Sequence, residues 1–360
     1  MTANMNGTPN ILKAIPQKRG ICVALQKDDT SLRIEGDSPS EFTEVLKDAK
    51  IAWINFVVDD ISSDGEAIAA SLGFSKGLVY NLLAGYYSNY EDRNVNLGIL
   101  VPAVRINNLE VDIRPLIILV RKGLILSIHD KDITRLVKFS RYADTFVRKL
   151  KPNTSWQDKL TLMLCRILDE NNAKNFDHLR EIETQADDLV KDLMDPTTPR
   201  DKLGPEIYKM KHALIVYLDS LWATLDVLNS LRYGDAETLS DNNKLLERIS
   251  ILANDVTNQI SLSEHMSEVL ASGLEVLQSI YNNQLQVLNN RLSLIVTWLS
   301  IAGTAFLVPN TLATIFGIPA ISEHFSWHTI SIILILSTVG SAWAAYWFLK
   351  AKGLIPKTVD

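Results

Sequence analysis

The sequence predicts an α+β membrane protein, in which a cytosolic α/β domain, a helical hairpin and a very long stalk helix precede and enter two C-terminal transmembrane helices. Residues 292–316 and 330–349 contain no Asp, Glu, Lys or Arg, although 22% of the chain is charged. Strand-like apolar runs are confined to residues 20–132. No proline lies between Leu239 and Pro309, so a single helix can extend into the first apolar stretch.

The first 132 residues predict a tail followed by the α/β domain. Residues 1–19 lack the apolar core of a signal peptide, so we expect a flexible N-terminal tail. Residues 20–132 alternate strand-like runs with helix-like segments such as "SPSEFTEVLKDA" and "DGEAIAASLGF". The runs of strand type are "GICVALQ", "IAWINFVVDD", "LGILVPAVRI" and "RPLIILV…LILSIHD".

Residues 133–235 predict a helical hairpin. Apolar residues there recur at spacings of three and four, and "DPTTPRDKLGP" interrupts the pattern. We expect two antiparallel helices on either side of this interruption. Four acids would gather toward the turn: Asp187, Asp188, Asp192 and Asp195.

Residues 236–291 predict the stalk helix, with Ser240 or Asp241 as its N-cap. Apolar residues from Leu245 to Val287 follow a four-three spacing, which Gln259, Ser263, Gly273 and Gln284 interrupt. Together with the first span, the helix would be about 110 Å long at 1.5 Å per residue. The alternative is two helices with a kink near Gly273. A helix this long needs neighbours, which copies of the chain in a closed ring could supply.

Two transmembrane helices, 292–316 and 330–349, would each cross a hydrocarbon layer of roughly 30 Å within membrane lipid. Lysine and arginine flank them at Arg291, Lys350, Lys352 and Lys357, while the outer loop 317–329 has neither. Positive charge marks the cytoplasmic side of a membrane. The pattern therefore predicts a multi-pass protein of the plasma or inner membrane, with both termini and the basic tail 350–360 in the cytoplasm.

Several function classes are disfavoured. A net charge of −6 argues against nucleic-acid binding. The chain has no P-loop, G-x-S-x-G, H-E-x-x-H or paired-cysteine zinc pattern, so we expect neither an enzyme, nor a nucleotide site, nor an organic cofactor. Cys22 and Cys165 are isolated thiols, which the cytoplasm would keep reduced.

The first span carries a stripe of small and hydroxyl residues, whereas Leu294, Ile295, Phe306 and Leu307 lie on its other face. Such a stripe either packs helices together or lines a pore with weakly polar oxygens that suit a hydrated divalent cation. Two spans enclose no aqueous path, so a pore requires an oligomer. The predicted pore-lining residues, to which Leu299 of the apolar face is added, are Ser293, Val296, Thr297, Leu299, Ser300, Gly303, Thr304, Asn310, Thr311 and Thr314.

The outer loop contributes Glu323, His324 and His328. A carboxylate and two imidazoles could collect cations, and a histidine pair four residues apart suits Zn²⁺ better than Mg²⁺. The alternative is that they are polar residues at the lipid interface.

The order of these segments resembles the CorA-type divalent-cation transporters. "IAWINFVVDD", "LDSLWATLDVLNSLRYGD" and "NNRLSLIVTWLSI…VPNTLATIFG" resemble that family's strand, hairpin helix and pore helix. The resemblance implies a homopentameric funnel that carries Mg²⁺. The family's Gly-Met-Asn signature is replaced by Gly317, Ile318 and Pro319, so the pore mouth would use backbone carbonyls around Phe316–Ile318.

The resemblance also implies a cytosolic Mg²⁺ sensor. Asp255 in "NDVTNQ" matches one of the family's regulatory acids, and the partner acid aligns with Tyr80–Asn81, where no acid is present. The alternative is that Asp255 is an ordinary solvated helix residue.

Together these patterns predict a channel or transporter for Mg²⁺, with Co²⁺ and Ni²⁺ as related ions, that passes ions down their electrochemical gradient. The alternatives are a Zn²⁺ transporter, either proton-coupled or working in efflux, and a non-conducting membrane-anchored ion sensor or scaffold.

Overall fold

A seven-stranded mixed sheet organises the N-terminal part of the chain in the computed structural model, which describes residues 18–107, 109–151, 153–194, 199–233 and 236–351. Its order is β2-β1-β3-β7-β6-β5-β4, and only the neighbours β3 and β7 are parallel. The strands are β1 Gly20–Gln26, β2 Ser31–Gly36, β3 Ala49–Val58, β4 Asn89–Asp92, β5 Asn96–Asn107, β6 Glu110–Arg121 and β7 Leu124–Asp130.

The helices follow the sheet along the chain, apart from a short 3₁₀ turn and three helices inserted between strands. The inserted elements are Pro39–Phe42, α1 Thr43–Asp48, α2 Ile61–Ser71 and α3 Leu78–Leu83. The later helices are α4 Thr134–Ser140, α5 Ala143–Arg148, α6 Trp156–Asn172, α7 Asn175–Met194, α8 Arg200–Tyr233, α9 Asn243–Phe316, α10 Pro319–Ser322 and α11 Trp327–Ala351. The chain divides into two compact units between Gly273 and Leu274, and each is described by itself.

Both faces of the sheet are covered in the N-terminal unit. Alternate residues of a strand point to opposite faces. Ile54 and Phe56 of β3 pack in a core with Ile68 of α2 and Leu82 of α3. Trp53 points the other way and its ring lies 5.0 Å from that of Phe139 on α4. The α/β fold class predicted from the sequence is therefore confirmed for this unit.

A buried polar cluster joins the parallel strands β3 and β7. Trp53 Nε1 donates to Ser127 Oγ at 3.0 Å, and Ser127 Oγ donates to Asn55 Oδ1 at 2.7 Å. His129 lies 3.0 Å from the same amide oxygen through Nε2 and 2.6 Å from the Asp130 carbonyl through Nδ1. The neutral ring of His129 has one N–H and cannot donate to both of these oxygens. In addition, Asn55 Nδ2 is buried and has no partner among the described residues. Reversing the amide replaces the bond that Ser127 donates with one that Nδ2 donates to Ser127 Oγ, and the second hydrogen of Nδ2 is donated to Nε2 of the neutral imidazole.

The sequence patterns missed both edge strands. β2 and β4 lie at the two ends of the sheet order, and most of their residues are half-buried or exposed. An edge strand packs less apolar surface than a central one, so its apolar alternation is weak. The runs predicted as strands coincide with β1, β3, β5, β6 and β7, all five of which are internal strands of the sheet with buried residues.

The prediction of two helices between residues 133 and 235 was wrong, because the described part of this region contains five, α4 to α8. A second break at Ala173 and Lys174 separates α6 from α7, where polar residues resemble a helix surface. α7 and α8 do pack against each other on either side of the predicted interruption. Asp195 lies outside the described residues.

The N-cap of α9 is Asn242, and the prediction of Ser240 or Asp241 was wrong. Asn242 Oδ1 accepts from the Lys244 N–H at 3.1 Å, which satisfies one of the free amides of the first turn. Ser240 is instead held by α6, because its N–H donates to Thr161 Oγ1 at 3.0 Å and its hydroxyl donates to Asp158.

The first part of the stalk buries its apolar stripe within the single chain. Leu245, Ile249, Val256, Met266 and Leu270 are all buried in the N-terminal unit. The prediction that copies of the chain supply these contacts was therefore wrong for this stretch. Gln259, a polar interruption of the stripe, is also buried and accepts from Asn175 Nδ2 at 3.1 Å. α9 remains helical through Gly273 and Pro309, so the alternative of two separate helices was wrong.

Three helices among the described residues are long and apolar enough to cross a membrane. One, Leu203–Tyr233 of α8, is half buried and packs on α7, β5 and β6, so it belongs to the N-terminal core. The apolar windows of α9 and α11 are 11% and 0% buried, and these are the two spans that the sequence predicts. Residues 1–17 of the predicted tail, with Lys352 and Lys357, lie outside the described residues.

Candidate ion pathway and candidate metal-sensing site

The hydroxyl groups of the first span donate to their own helix. Thr297 Oγ1 donates to the Ser293 carbonyl at 2.7 Å, and Ser300 Oγ to the Val296 carbonyl at 2.8 Å. Thr304, Thr311 and Thr314 make the same bond to the carbonyl four residues earlier, at 2.8 to 2.9 Å. With the proton used in this way, each oxygen presents only its lone pairs outward. The stripe is therefore a line of acceptors.

The predicted pore-lining residues do not share one environment. Thr297 is buried within the C-terminal unit, and Gly303 and Thr304 are half-buried. The others are exposed in the single chain, and Val296 and Leu299 expose 60% and 71% of their surface. The exposed set is Ser293, Val296, Leu299, Ser300, Asn310, Thr311 and Thr314. Thr297 thus packs inside one chain, whereas the exposed set is free to face other copies.

The predicted pore mouth begins where α9 ends at Phe316. The Gly317 N–H continues the helical pattern by donating to Ala313 O at 2.9 Å, and Ile318 is extended with φ −77° and ψ 122°. Pro319 does not end α9 but opens the four-residue α10. The Ile318 carbonyl already accepts from the Ile321 N–H at 3.0 Å. The carbonyls of Phe316 and Gly317 accept no backbone bond among those found in the described residues.

The outer-loop residues Glu323, His324 and His328 are exposed. Within the described residues no three His, Cys, Asp or Glu side chains come together as a metal-binding group. A single chain therefore holds no preformed Zn²⁺ site in this loop.

Asp255 lines a cavity of about 260 Å³ together with Asp169, which the sequence reading missed. Asp169 is on α6 and Asp255 on α9, and Arg166 and Arg248 line the same cavity. Burial raises the pKa of Asp169, and the charges of Glu170 and Asp255 add to this while Arg166 opposes it. Arg166 Nη1 donates to Asp169 Oδ2 at 2.9 Å. Asp169 lies in a helix of apolar periodicity, so its proximity to Asp255 has no signal in the sequence.

The residues aligned with the family's second regulatory acid lie elsewhere. Tyr80 is 75% exposed, and Asn81 Nδ2 donates to Glu91 Oε1 at 3.2 Å on the far edge of the sheet. Neither lines the Asp255 cavity. Within one chain, the acid that lines the cavity together with Asp255 is Asp169.

The geometry defines a class of protein: a membrane protein with an N-terminal α/β unit, a long helix whose C-terminal part is apolar enough to span a membrane, and a second helix of span length. The CorA-like Mg²⁺ transporter family model matches residues 48–351. The chain belongs to the CorA-like Mg²⁺ transporter family.

Solved structures share the fold at low identity. The CorA magnesium transporter from Methanocaldococcus jannaschii is 18% identical with a TM-score of 0.64, covering 92% of this chain and 97% of its own. The full-length CmaX protein is 13% identical with a TM-score of 0.64, covering 94% and 100%. The ZntB cytoplasmic domain from Vibrio parahaemolyticus is 14% identical with a TM-score of 0.55, covering 73% and 98%. No curated protein sequence matches the chain significantly.

Proposed function

We propose that this member of a divalent-cation transporter family is a homopentameric channel that carries Mg²⁺, and Co²⁺ or Ni²⁺ as related ions, down the electrochemical gradient. The observation that carries the proposal is the line of exposed acceptor oxygens, those of Ser300, Thr311 and Thr314, on an uncharged membrane helix. The proposed wall consists of the exposed members of the stripe.

The chemistry of this wall suits a hydrated divalent ion. Mg²⁺ gives up its water reluctantly, and the hydrogens of its bound water point outward. Oxygens whose own protons are used by the helix can accept from that water without binding the metal tightly. The membrane potential, inside negative, favours entry by about 2.3 kcal/mol per charge per 100 mV, or about twice that for a divalent ion.

The exposed apolar surface of the C-terminal unit supports assembly. Leu285, Val287 and Leu288 expose 46 to 56% of their surface on a helix that precedes the span. Surface of this kind marks a protein or lipid interface. Closed cyclic symmetry would place five copies of α9 around an axis. Both termini of every chain would lie on the cytoplasmic side of a plasma or inner membrane.

The pore mouth would use main-chain oxygens. Ile318 and Pro319 offer no side-chain oxygen, and the carbonyls of Phe316 and Gly317 lack backbone partners within the described loop. A ring of such carbonyls could meet an incoming hydrated cation.

A second candidate function is Zn²⁺ transport, for which His324 and His328 in the outer loop are the supporting observation. The third is a non-conducting scaffold or ion sensor. The uncharged, oxygen-lined span favours conduction over the scaffold.

Ion flux into proteoliposomes of the purified chain tests the three functions. Mg²⁺, Co²⁺, Ni²⁺ and Zn²⁺ are compared, with a pH dye inside the vesicles. We expect Mg²⁺ entry without acidification. Zn²⁺ movement coupled to protons would contradict the Mg²⁺ proposal and support Zn²⁺ transport. Absence of flux from a correctly assembled oligomer would contradict both transport functions and support the non-conducting scaffold or sensor.

We also propose that Mg²⁺ regulates the pore at Asp255 and Asp169. Two carboxylates from different helices offer the hard oxygen ligands that Mg²⁺ prefers, and Arg166 and Arg248 would compete for them. Asp255→Asn should therefore weaken inhibition by internal Mg²⁺, raising the half-inhibiting concentration at least threefold. The control is Glu264→Gln, which removes an exposed acid from the same helix. An equal response in both variants would show that Asp255 is a solvated surface acid.

A further inference from the structure

A basic cavity of about 420 Å³ lies in the N-terminal unit, away from the Asp255 cavity. It is lined by residues of β5 and β6, the segment after β7, α4 and the start of α7. One carboxylate, Asp132, is among the lining residues. Six cationic side chains line it: Arg105, Arg114, Lys131, Arg135, Lys138 and Lys174.

Two of the six cations are already compensated. Arg105 Nη1 lies 3.7 Å from Asp132, and Arg114 Nη2 lies 3.8 Å from the same carboxylate. Arg114 also contacts Asp112 at 2.9 Å and Asp130 at 3.6 Å. In the described part of the chain, the remaining four have no carboxylate within 4.0 Å. The cavity therefore carries a local excess of positive charge.

Arg135 is the most buried of these uncompensated cations. Its Nη1 donates to the Asn171 carbonyl, and its Nη2 donates to the Val104 carbonyl at 2.7 Å. Nη2 also lies 3.2 Å from His178 Nε2. None of these partners is an anion, and Nε–H and the second Nη1–H have no partner among the described residues. Burial lowers the pKa of Arg135, but a guanidinium in a protein keeps its charge. Arg135 is half-buried, and a cation that loses part of its hydration without gaining a counter-ion is destabilised.

His178, which also lines the basic cavity, carries a hydrogen-bond donor without a partner among the described residues. Because Arg135 can only donate, His178 Nε2 must accept, and the neutral ring then carries its proton on Nδ1. This Nδ1 is buried and has no hydrogen-bond partner in the part of the chain that the structure describes. Burial, and then the charges of Arg135 and Lys174, lower the pKa of His178 to about 4. An anion bound in the cavity would supply the negative charge that Arg135 lacks.

We propose that this cavity binds a small phosphate-bearing anion through Arg135, Lys138 and Lys174. Four uncompensated cations match a polyphosphate better than a single carboxylate, and a guanidinium fork fits two phosphate oxygens. The volume exceeds the space needed for one phosphate group and lies within the range of small-molecule sites. Among the described residues, no Phe, Tyr or Trp lines the cavity to stack on a base, so the phosphates themselves are the recognised group. The site is separate from the ion pathway.

Calorimetric titration of pyrophosphate into the detergent-purified full-length chain, without divalent cations, tests the proposal. Lys138→Ala/Lys174→Ala removes two exposed cavity cations, and Lys149→Ala/Lys151→Ala removes two exposed lysines outside it. We expect saturable binding, weakened at least tenfold in the first double variant and less than twofold in the second. Arg135→Lys, which keeps the charge but loses the fork, should also weaken binding at least tenfold.

Parallel titrations distinguish the sources of phosphate. ATP that binds as tightly as pyrophosphate, with adenosine inert, would show that phosphate groups alone are recognised and would support the proposal. Absence of pyrophosphate binding, or equal losses in the two double variants, would overturn it and identify the lysines as ordinary surface charge.

Discussion

A cationic thiol reagent should block Mg²⁺ flux through Ser300→Cys at least tenfold and leave Phe306→Cys conducting. Ser300 is exposed on the stripe of acceptor oxygens, whereas Phe306, 74% exposed, lies on the apolar face of the same helix. A fixed positive charge beside the ion path repels a divalent cation. Two unit charges 4 Å apart interact by about 4 kcal/mol at an effective dielectric constant of 20, and a divalent ion doubles this.

The native thiols give a low background for this experiment. Burial raises the pKa of both Cys22 and Cys165 to about 12, so neither presents the reactive thiolate. The unmodified chain, treated with the same reagent, is therefore the control for background reaction. Flux is measured in proteoliposomes before and after treatment.

A cysteine at a third position distinguishes residues that line the pore from residues that pack within one chain. Thr297→Cys should react slowly, because Thr297 is buried within one chain although it shares the hydroxyl stripe. Block at Phe306→Cys with none at Ser300→Cys would reverse the assignment of the pore face. Equal block at both would mean that the reagent acts elsewhere.

The free energy of unfolding of the N-terminal unit should fall by about 3 kcal/mol between pH 7 and pH 4 through His129 alone. Complete burial lowers the pKa of His129 from 6.5 to about 4, while the Asp130 carbonyl and carboxylate oppose this. Each pKa unit corresponds to about 1.4 kcal/mol, so the whole difference in pKa gives roughly 3.5 kcal/mol, of which about 3 kcal/mol is reached at pH 4, where the folded ring is half protonated.

The sign follows from which state takes up the proton. Above pH 6.5 the ring is neutral in both states and contributes nothing. Between pH 6.5 and pH 4 the imidazole of His129 binds a proton in the unfolded chain but stays neutral in the folded chain. Folding therefore becomes less favourable as pH falls. His178, whose pKa is lowered to about 4 as well, adds in the same direction.

Urea unfolding of the full-length chain in detergent, followed by tryptophan fluorescence at several pH values, measures this loss. His129→Gln should lower stability at pH 7, since the bond to the Asp130 carbonyl is lost, but flatten the dependence on pH. The control is His265→Gln, which changes an exposed histidine. A His129→Gln chain that keeps the full pH dependence would contradict this assignment.

The sequence could predict the elements with the strongest apolar signal. β1, β3, β5, β6 and β7 carry nearly continuous buried runs, and α9 and α11 carry uncharged stretches of span length. These signals arise from hydrophobic burial, which leaves a local pattern in the chain. The edge strands β2 and β4 bury little, so their pattern was too weak to find.

The candidate sites were less predictable, because they depend on contacts between distant segments. Asp255 was found through the family resemblance, but its neighbour Asp169 lies on α6, and only the fold brings both to one cavity. The basic cavity likewise combines Arg135 of α4 with Lys174 and His178, which follow α6. No spacing along the chain records such pairs.

The fold class, the two spans and the oxygen-bearing stripe follow from the amino-acid sequence, because they depend on local composition and on the period of a single helix. Only the tertiary structure decided that the stalk buries its first half against its own chain, that Thr297 is covered, and which charged groups remain without partners. Burial and charge compensation depend on which residues lie close together in three dimensions. They are set by whichever segments the folded sheet and helices bring together, regardless of their separation in the chain.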